Sequence, residues 1–314
     1  MDENKYIISG GIRVAYKSSE RMIGGINSKV YKVKKERKDA ILKFYSKHSS
    51  ELRQEREVRF YKFMEEVGGN WTPELIEYNK EQKWTLLTFI EGVKIDILTE
   101  NDIDDIAAFI NRTKLKEVND KESMLKASDN GMNFAKIVRS VEDRIETRKK
   151  QFGKNKVGLK FIETIEKRLD ELKKCYRDRY RENSKEWDMS NINKHYSPSD
   201  VGLHNTLKYN NKLKFFDFEY SGIDDKSKLI CDWVHQPSYV FSINEENRLL
   251  DRIYQSQSEQ NDSWHLRYQD IIPLTILKWC MIMLNSNGND ANNIVKATRY
   301  YERLEYKIDN YLGK

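Results

Sequence analysis

Ser197-Pro198-Ser199-Asp200-Val201-Gly202-Leu203-His204-Asn205-Thr206-Leu207, followed by Lys214-Phe215-Phe216-Asp217-Phe218-Glu219, combines a polar loop with a short apolar strand that ends in an acid. An Asp, an Asn five positions later, a turn and a second Asp can bring one base and two oxygen ligands to a single point. Such a set suits Mg²⁺ and a phosphoryl group, because the ion is hard, prefers oxygen and needs only one or two side chains when phosphates complete its shell. Asn205 and Asp217 would be the ligands, leaving Asp200 free to orient an attacking hydroxyl and accept its proton. Alone, Asp-x-x-x-x-Asn means little, since both residues commonly cap loops and turns.

The upstream sequence gives the pattern weight. Ser28 to Val33 alternates, Lys34 to Asp39 is a charged turn, and Ala40-Ile41-Leu42-Lys43-Phe44-Tyr45 is rich in strand formers, which predicts a hairpin directly after Gly24-Gly25. Glu51 to Glu66 contains neither Gly nor Pro before its end and spaces Leu52, Val58, Tyr61 and Met64 as one amphipathic helix. Short strands are expected at Leu75 to Tyr78 and Trp84 to Ile90. Lys43 therefore falls inside an apolar strand, where a charge is costly unless paired, and Glu57 on the next helix can pair it. A strand lysine with a helix glutamate is the arrangement that grips phosphates in kinase-type folds.

With these residues in order, the chain resembles the aminoglycoside phosphotransferase and choline kinase family, from about Met22 to Pro237. The resemblance implies an α+β, protein-kinase-like two-lobed fold, with a small antiparallel-sheet lobe over residues 1–90 and a larger, mainly helical lobe over 91–314. It implies ATP and Mg²⁺ as cosubstrate and cofactor. Gly24, Gly25, Asn27 and Ser28 would form the nucleotide loop, Lys43 would hold the α- and β-phosphates, and Glu57 would hold Lys43. Thr88, Phe89, Ile90 and Glu91 would make the hinge, Asp200 would be catalytic, and Asn205 and Asp217 would bind the metal. Asp232 matches the family's structural aspartate. The usual His two residues before the catalytic Asp is here Pro198, and the metal motif reads Asp-Phe-Glu, as in choline-kinase-like members.

The helical half reads separately. Thr99-Glu100-Asn101-Asp102 forms a capping box before Ile103, Ile106, Ala107 and Ile110, and further helices are expected near Leu159 to Tyr180, Leu229 to Val234, Tyr268 to Leu284 and Asn292 to Tyr311. His204 and Glu219 beside the central motif, and Trp233, Lys278 and Trp279 in the helices, are candidate substrate contacts. For the tryptophans the competing expectation is ordinary core packing. Lys278 interrupts an apolar helix and needs either a partner or an opening.

Composition narrows the function classes. Across 314 residues, 56 Lys plus Arg face 50 Asp plus Glu, a net +6 spread with both signs mixed, so no nucleic-acid partner is expected. The most apolar stretch, Ile271 to Leu284, is too short and too interrupted for a membrane span, and no apolar leader opens the chain, so a cytoplasmic location is expected. Cys175, Cys231 and Cys280 show no metal-binding spacing, the histidines form no zinc set, and no Walker A sequence occurs. Only about a dozen residues follow Asp217 before the next helix, which leaves little room for a protein-kinase activation segment. The expected acceptor is a small-molecule hydroxyl, with a sugar or surface-glycan precursor first and choline, ethanolamine or an aminoglycoside as alternatives. A nucleotide-binding pseudokinase scaffold is the non-enzymatic alternative.

Overall fold

A computed structural model of the chain describes residues 5–9, 12–16, 19–22, 28–46, 52–115, 125–179, 194–255, 263–285 and 290–314. They form two compact units: Met1–Ser128 with Tyr196–Ile223 and Arg248–Ile253, and Asp129–His195 with Asp224–Asn247 and Tyr254–Lys314.

In the first unit a hairpin of β1 (Lys5–Ser9) and β2 (Ile12–Tyr16) precedes a five-stranded antiparallel sheet. That sheet runs in the order β3 (Ser19–Arg21), β4 (Ser28–Lys35), β5 (Lys38–Tyr45), β7 (Trp84–Thr88), β6 (Leu75–Asn79). Between β4 and β5 the chain reverses through Glu36 and Arg37, both left-handed at φ 50° and 70°, in the two-residue turn whose twist matches the strands. Alternation then divides β5. Ala40, Leu42 and Phe44 pack with Val33, Trp84 and Leu86 in a buried apolar cluster, while Lys43 and Tyr45 point to the opposite face.

That opposite face meets α1 (Leu52–Val67), which buries Glu57, Val58, Phe60, Tyr61 and Met64. The acidic and basic residues of α1 give it little amphipathic contrast, and buried Gln54 anchors it to the sheet by donating to the Asn79 and Trp84 carbonyls. Next comes α2 (Glu100–Arg112), opened by the expected capping box: Thr99 accepts from the Asp102 amide, and the Asp102 carboxylate accepts from the Thr99 amide at 2.9 Å. Phe60, Phe109, Tyr196, Phe215 and Phe218 stack into a continuous aromatic column, with Phe60–Phe218 and Phe109–Phe215 centroids both 4.2 Å apart.

β9 (Thr206–Tyr209) and β10 (Lys212–Phe215) form a second hairpin, turned by Asn210 and Asn211 at φ 50° and 57°. Asparagine tolerates this conformation better than most residues, so the register is locally encoded. The chain passes between the units within β8 (Lys194–Ser197) and β11 (Gly222–Asp225). At Gly222 the backbone of Lys126 and Ala127 comes so close that an added Cβ would lie 2.3 Å from the Ala127 nitrogen.

The second unit is helical: α3 (Phe134–Gln151), α4 (Lys156–Arg179), α5 (Lys226–Val234), most of α6 (Ile243–Gln255), α7 (Ser263–Met283) and α8 (Asp290–Leu312). α7 is its centre, packed against α3, α4, α5 and α8, and from Tyr268 to Met281 it is buried nearly all round. Among the described residues no helix is long and apolar enough to cross a membrane. Helices α3 and α6 are absent from the sequence expectations, and β7 ends at Thr88, so Phe89 and Ile90 begin the following loop.

Candidate active site

The site lies in the first unit. Lys43 is 5% exposed, and its ammonium reaches Glu57 Oε2 at 2.6 Å, Asp217 Oδ1 at 2.5 Å and Glu219 Oε2 at 3.5 Å. Burial alone would lower the Lys43 pKa, but the three carboxylates outweigh it and hold the ammonium well above its ordinary range. Glu57 is held from several sides. Besides Lys43 it accepts from Tyr45 Oη, from Tyr61 Oη at 3.3 Å and from the Phe218 amide at 3.4 Å. Tyr45 lies two residues from Lys43 on the same strand face, and Tyr61 lies one helical turn from Glu57. Neither was among the sequence candidates, and their spacing from Lys43 and Glu57 is the signal that could have found them.

Asp217 follows the β9–β10 hairpin. Because the Asn210-Asn211 turn pairs Thr206 with Phe215, Asn205 and Phe216 continue opposite one another, and the Phe216 amide donates to the Asn205 carbonyl at 3.1 Å. The local turn thus sets where Asn205 stands relative to the acid after Phe216. Asp217 takes φ 69°, as does Ser199 just before Asp200. Non-glycine residues held there cost on the order of 1–3 kcal/mol and concentrate where function fixes the backbone.

The Asp200 loop is closed by its own hydrogen bonds. The Ser199 amide donates to Ser197 Oγ, the Asp200 amide to the Pro198 carbonyl at 2.9 Å, and Asn205 Nδ2 to the Asp200 carbonyl at 2.9 Å. Ser197, itself fully buried, and Asn205 therefore do the scaffolding around Pro198, which stands where the family it resembles usually has a histidine. The Asp200 side chain is 37% exposed, and Oδ1 lies 3.4 Å from His204 Nε2. Asp217 is comparably open at 35%.

The segment from Asp217 to Ser221 is fixed to α1. Ser221 Oγ donates to the Arg56 carbonyl, and the Arg56 guanidinium donates back to the carbonyls of Ser221 and Lys126. Glu219, 3% exposed, accepts from Ser28 Oγ at 3.0 Å and from Arg53 Nη1 at 3.1 Å.

The other expected residues are placed as follows. Gly24, Gly25 and Asn27 lie outside the described residues. Thr88 ends β7 and donates its amide to the Glu74 carbonyl, and Phe89, Ile90 and Glu91 follow outside any helix or strand. Lys32 of β4 sits 4.0 Å over the Phe89 ring. Trp233, Lys278 and Trp279 belong to the second unit. Trp233 is 1% exposed, and Lys278 has partners, Asp232 at 3.1 Å and Asp129 at 3.4 Å. Lys278 extends a buried chain of charges in which Lys228 contacts Asp232 at 2.6 Å and Asp224 at 3.2 Å. Asp224 Oδ1 also accepts from the Gly131 and Asp225 amides.

The donor set of the first unit suits a hard cation: carboxylate oxygens of Glu57, Asp217 and Glu219 lie within 4.8 Å of one another, and the Asn205 amide, having spent a donor on Asp200, still has a carbonyl oxygen to offer.

No family model and no curated sequence matches the chain. Solved structures do. A choline kinase from Cryptosporidium parvum Iowa II superposes with a TM-score of 0.62 at 14% identity, covering 94% of this chain and 91% of that one. The choline kinase LicA from Streptococcus pneumoniae gives 0.61 at 15%, covering 91% and 93%. The aminoglycoside phosphotransferase APH(2″)-Ib, bound to ADP, gives 0.59 at 14%, covering 94% and 95%. At such identities the likeness establishes the fold: this chain has the α+β, kinase-like fold of choline kinases and aminoglycoside phosphotransferases.

Proposed function

We propose that the chain is a cytoplasmic, ATP- and Mg²⁺-dependent phosphotransferase that phosphorylates a hydroxyl of a small molecule. The carrying observation is the buried Lys43–Glu57 pair joined to the partly open Asp217, together with a loop that presents an open Asp200. Lys43 would bind the inner phosphates while Glu57, fixed by two tyrosines, keeps the ammonium in place. Asp217 and Asn205 would hold Mg²⁺, which supplies charge neutralisation on the phosphates as the phosphoryl group transfers. Asp200 would orient the acceptor hydroxyl and take its proton, so that the new ester forms as ADP leaves. His204, within reach of Asp200, would adjust that carboxylate or touch the acceptor.

The structural neighbours include choline and ethanolamine kinases and aminoglycoside phosphotransferases, so amino alcohols and aminoglycosides join sugars as acceptor classes. The test is a nucleotide-consumption screen against these three classes with Mg²⁺, run beside melting curves with and without MgATP. A ligand that binds only the folded state at a hundredfold excess over Kd stabilises it by about 2.7 kcal/mol. We expect a clear shift and ADP release with at least one acceptor. An unchanged melting curve at millimolar MgATP would remove this reading.

A further inference from the structure

Two cations, from different elements, share one buried carboxylate at this site. Lys43 of β5 approaches Glu219 Oε2 at 3.5 Å, and Arg53 of α1 donates to Glu219 Oε1 at 3.1 Å. Their capacities differ. An ammonium has three N–H donors, and three carboxylates already lie within 3.5 Å of Lys43. A guanidinium has five, and among the described residues the hydrogen bond that Arg53 makes is the one to Glu219. The Arg53 side chain is 19% exposed and its plane is supported by the Tyr220 ring, 5.0 Å away, so it is both reachable and restrained. It lies one helical turn before Glu57 and therefore projects from the same face of α1.

Charge points the same way. Glu57, Asp217 and Glu219 outnumber Lys43 and Arg53 by one, and a divalent cation would leave the cluster positive by one, ready for an anion. Planar forked donors match phosphate oxygens bidentately, which a point ammonium does not.

Resting on the phosphotransferase reading above, we propose that Arg53 is a second phosphate-binding residue, contacting the terminal phosphate of the nucleotide while Lys43 serves the inner ones. Glu219 would then hold Arg53 in position between turnovers, with Ser28 on its other oxygen.

The experiment measures dissociation constants of MgATP and MgADP for wild type, Arg53→Gln and Arg53→Lys, with melting curves as a folding check. Glutamine keeps a donor toward Glu219 and loses the charge and the fork. Arg53→Gln should weaken MgATP about tenfold or more, the scale of a lost hydrogen bond to a charged group, and leave MgADP within about twofold. Arg53→Lys should fall between, since it restores charge without the fork. Equal losses for both nucleotides would overturn the proposal and make Arg53 a support for Glu219 alone, with the phosphotransferase reading intact. Unchanged affinities would overturn it as well. Wild-type protein that binds neither nucleotide would overturn this proposal together with that reading. If Arg53→Gln does not fold, Arg53→Lys decides: a loss confined to MgATP supports the contact, and identical ATP and ADP behaviour refutes it.

Discussion

Asp224 is fully buried, and burial raises its carboxyl from 3.8 to about 6 even though Lys228 and two backbone amides oppose the shift. The native state therefore holds this proton more tightly than the unfolded chain does. Between the two values the folded protein binds more protons, so this group's contribution to stability falls as pH rises. A shift of roughly two units at 1.36 kcal/mol each is about 3 kcal/mol, of which about 2 would be recovered on acidifying from about pH 7.5 to about pH 4.5. Asp224→Asn removes the titration while its side-chain oxygen can still accept from Gly131 and Asp225. Urea unfolding of both proteins across that range isolates the term, because every other group is common to the pair. Asp129 does not intrude. Burial notwithstanding, Lys278, Lys228 and Arg144 hold it down at about 2, so its contribution is lost only as pH falls from 3.8 toward 2. We expect wild type to gain about 2 kcal/mol on the variant between the two ends. Parallel curves, or a gain by the variant on acidification, would refute the assignment.

At the proposed active site, Asp200→Asn should leave MgATP affinity within about twofold and lower turnover by on the order of 10²- to 10⁴-fold, read by steady-state kinetics on an acceptor from the screen. Asp217→Asn should weaken Mg²⁺-dependent nucleotide binding and turnover together, measured by titration at several Mg²⁺ concentrations. Tyr45→Phe removes a donor to buried Glu57 and should destabilise the fold by about 1 kcal/mol, with thermal melting as the check. Gly222→Ala should cost several times that, or prevent folding, because the new Cβ meets the backbone of Lys126 and Ala127 rather than a movable side chain.

What the sequence revealed, and what it hid, follows from the range of the forces involved. The Thr99 capping box and the Asn210-Asn211 turn act within a few residues and were legible or locally encoded. α6 also carried a local signal, since Ser242 and Glu245 bond reciprocally as a second capping box. α3 spaces Phe134, Ile137, Val138, Val141 and Ile145 on one face, but its many charges mask the stripe in a composition-led reading. Lys43 stood out as a charge inside an apolar strand, and Glu57, Asp200, Asn205 and Asp217 because they accompany it in the order and spacing of the family the chain resembles. Arg53 and Arg56 did not. In a helix with charges on nearly every turn, nothing local tells a solvated arginine from one that reaches Glu219 or Ser221, and only long-range packing separates them.

The attachment of α1 to the Phe218–Ser221 segment has a bearing on binding energetics. Arg56, Ser221, Phe60 and Phe218 hold Glu57 in place through contacts within the protein itself. Where the competent conformer is a minority, apparent affinity is reduced by the fraction competent. On the phosphotransferase reading, these contacts favour the competent conformer. Nucleotide association should then be a single concentration-dependent phase with no preceding isomerisation, and agents that change how fast the protein works would have to act on acceptor access or on protein abundance rather than on the posture of α1.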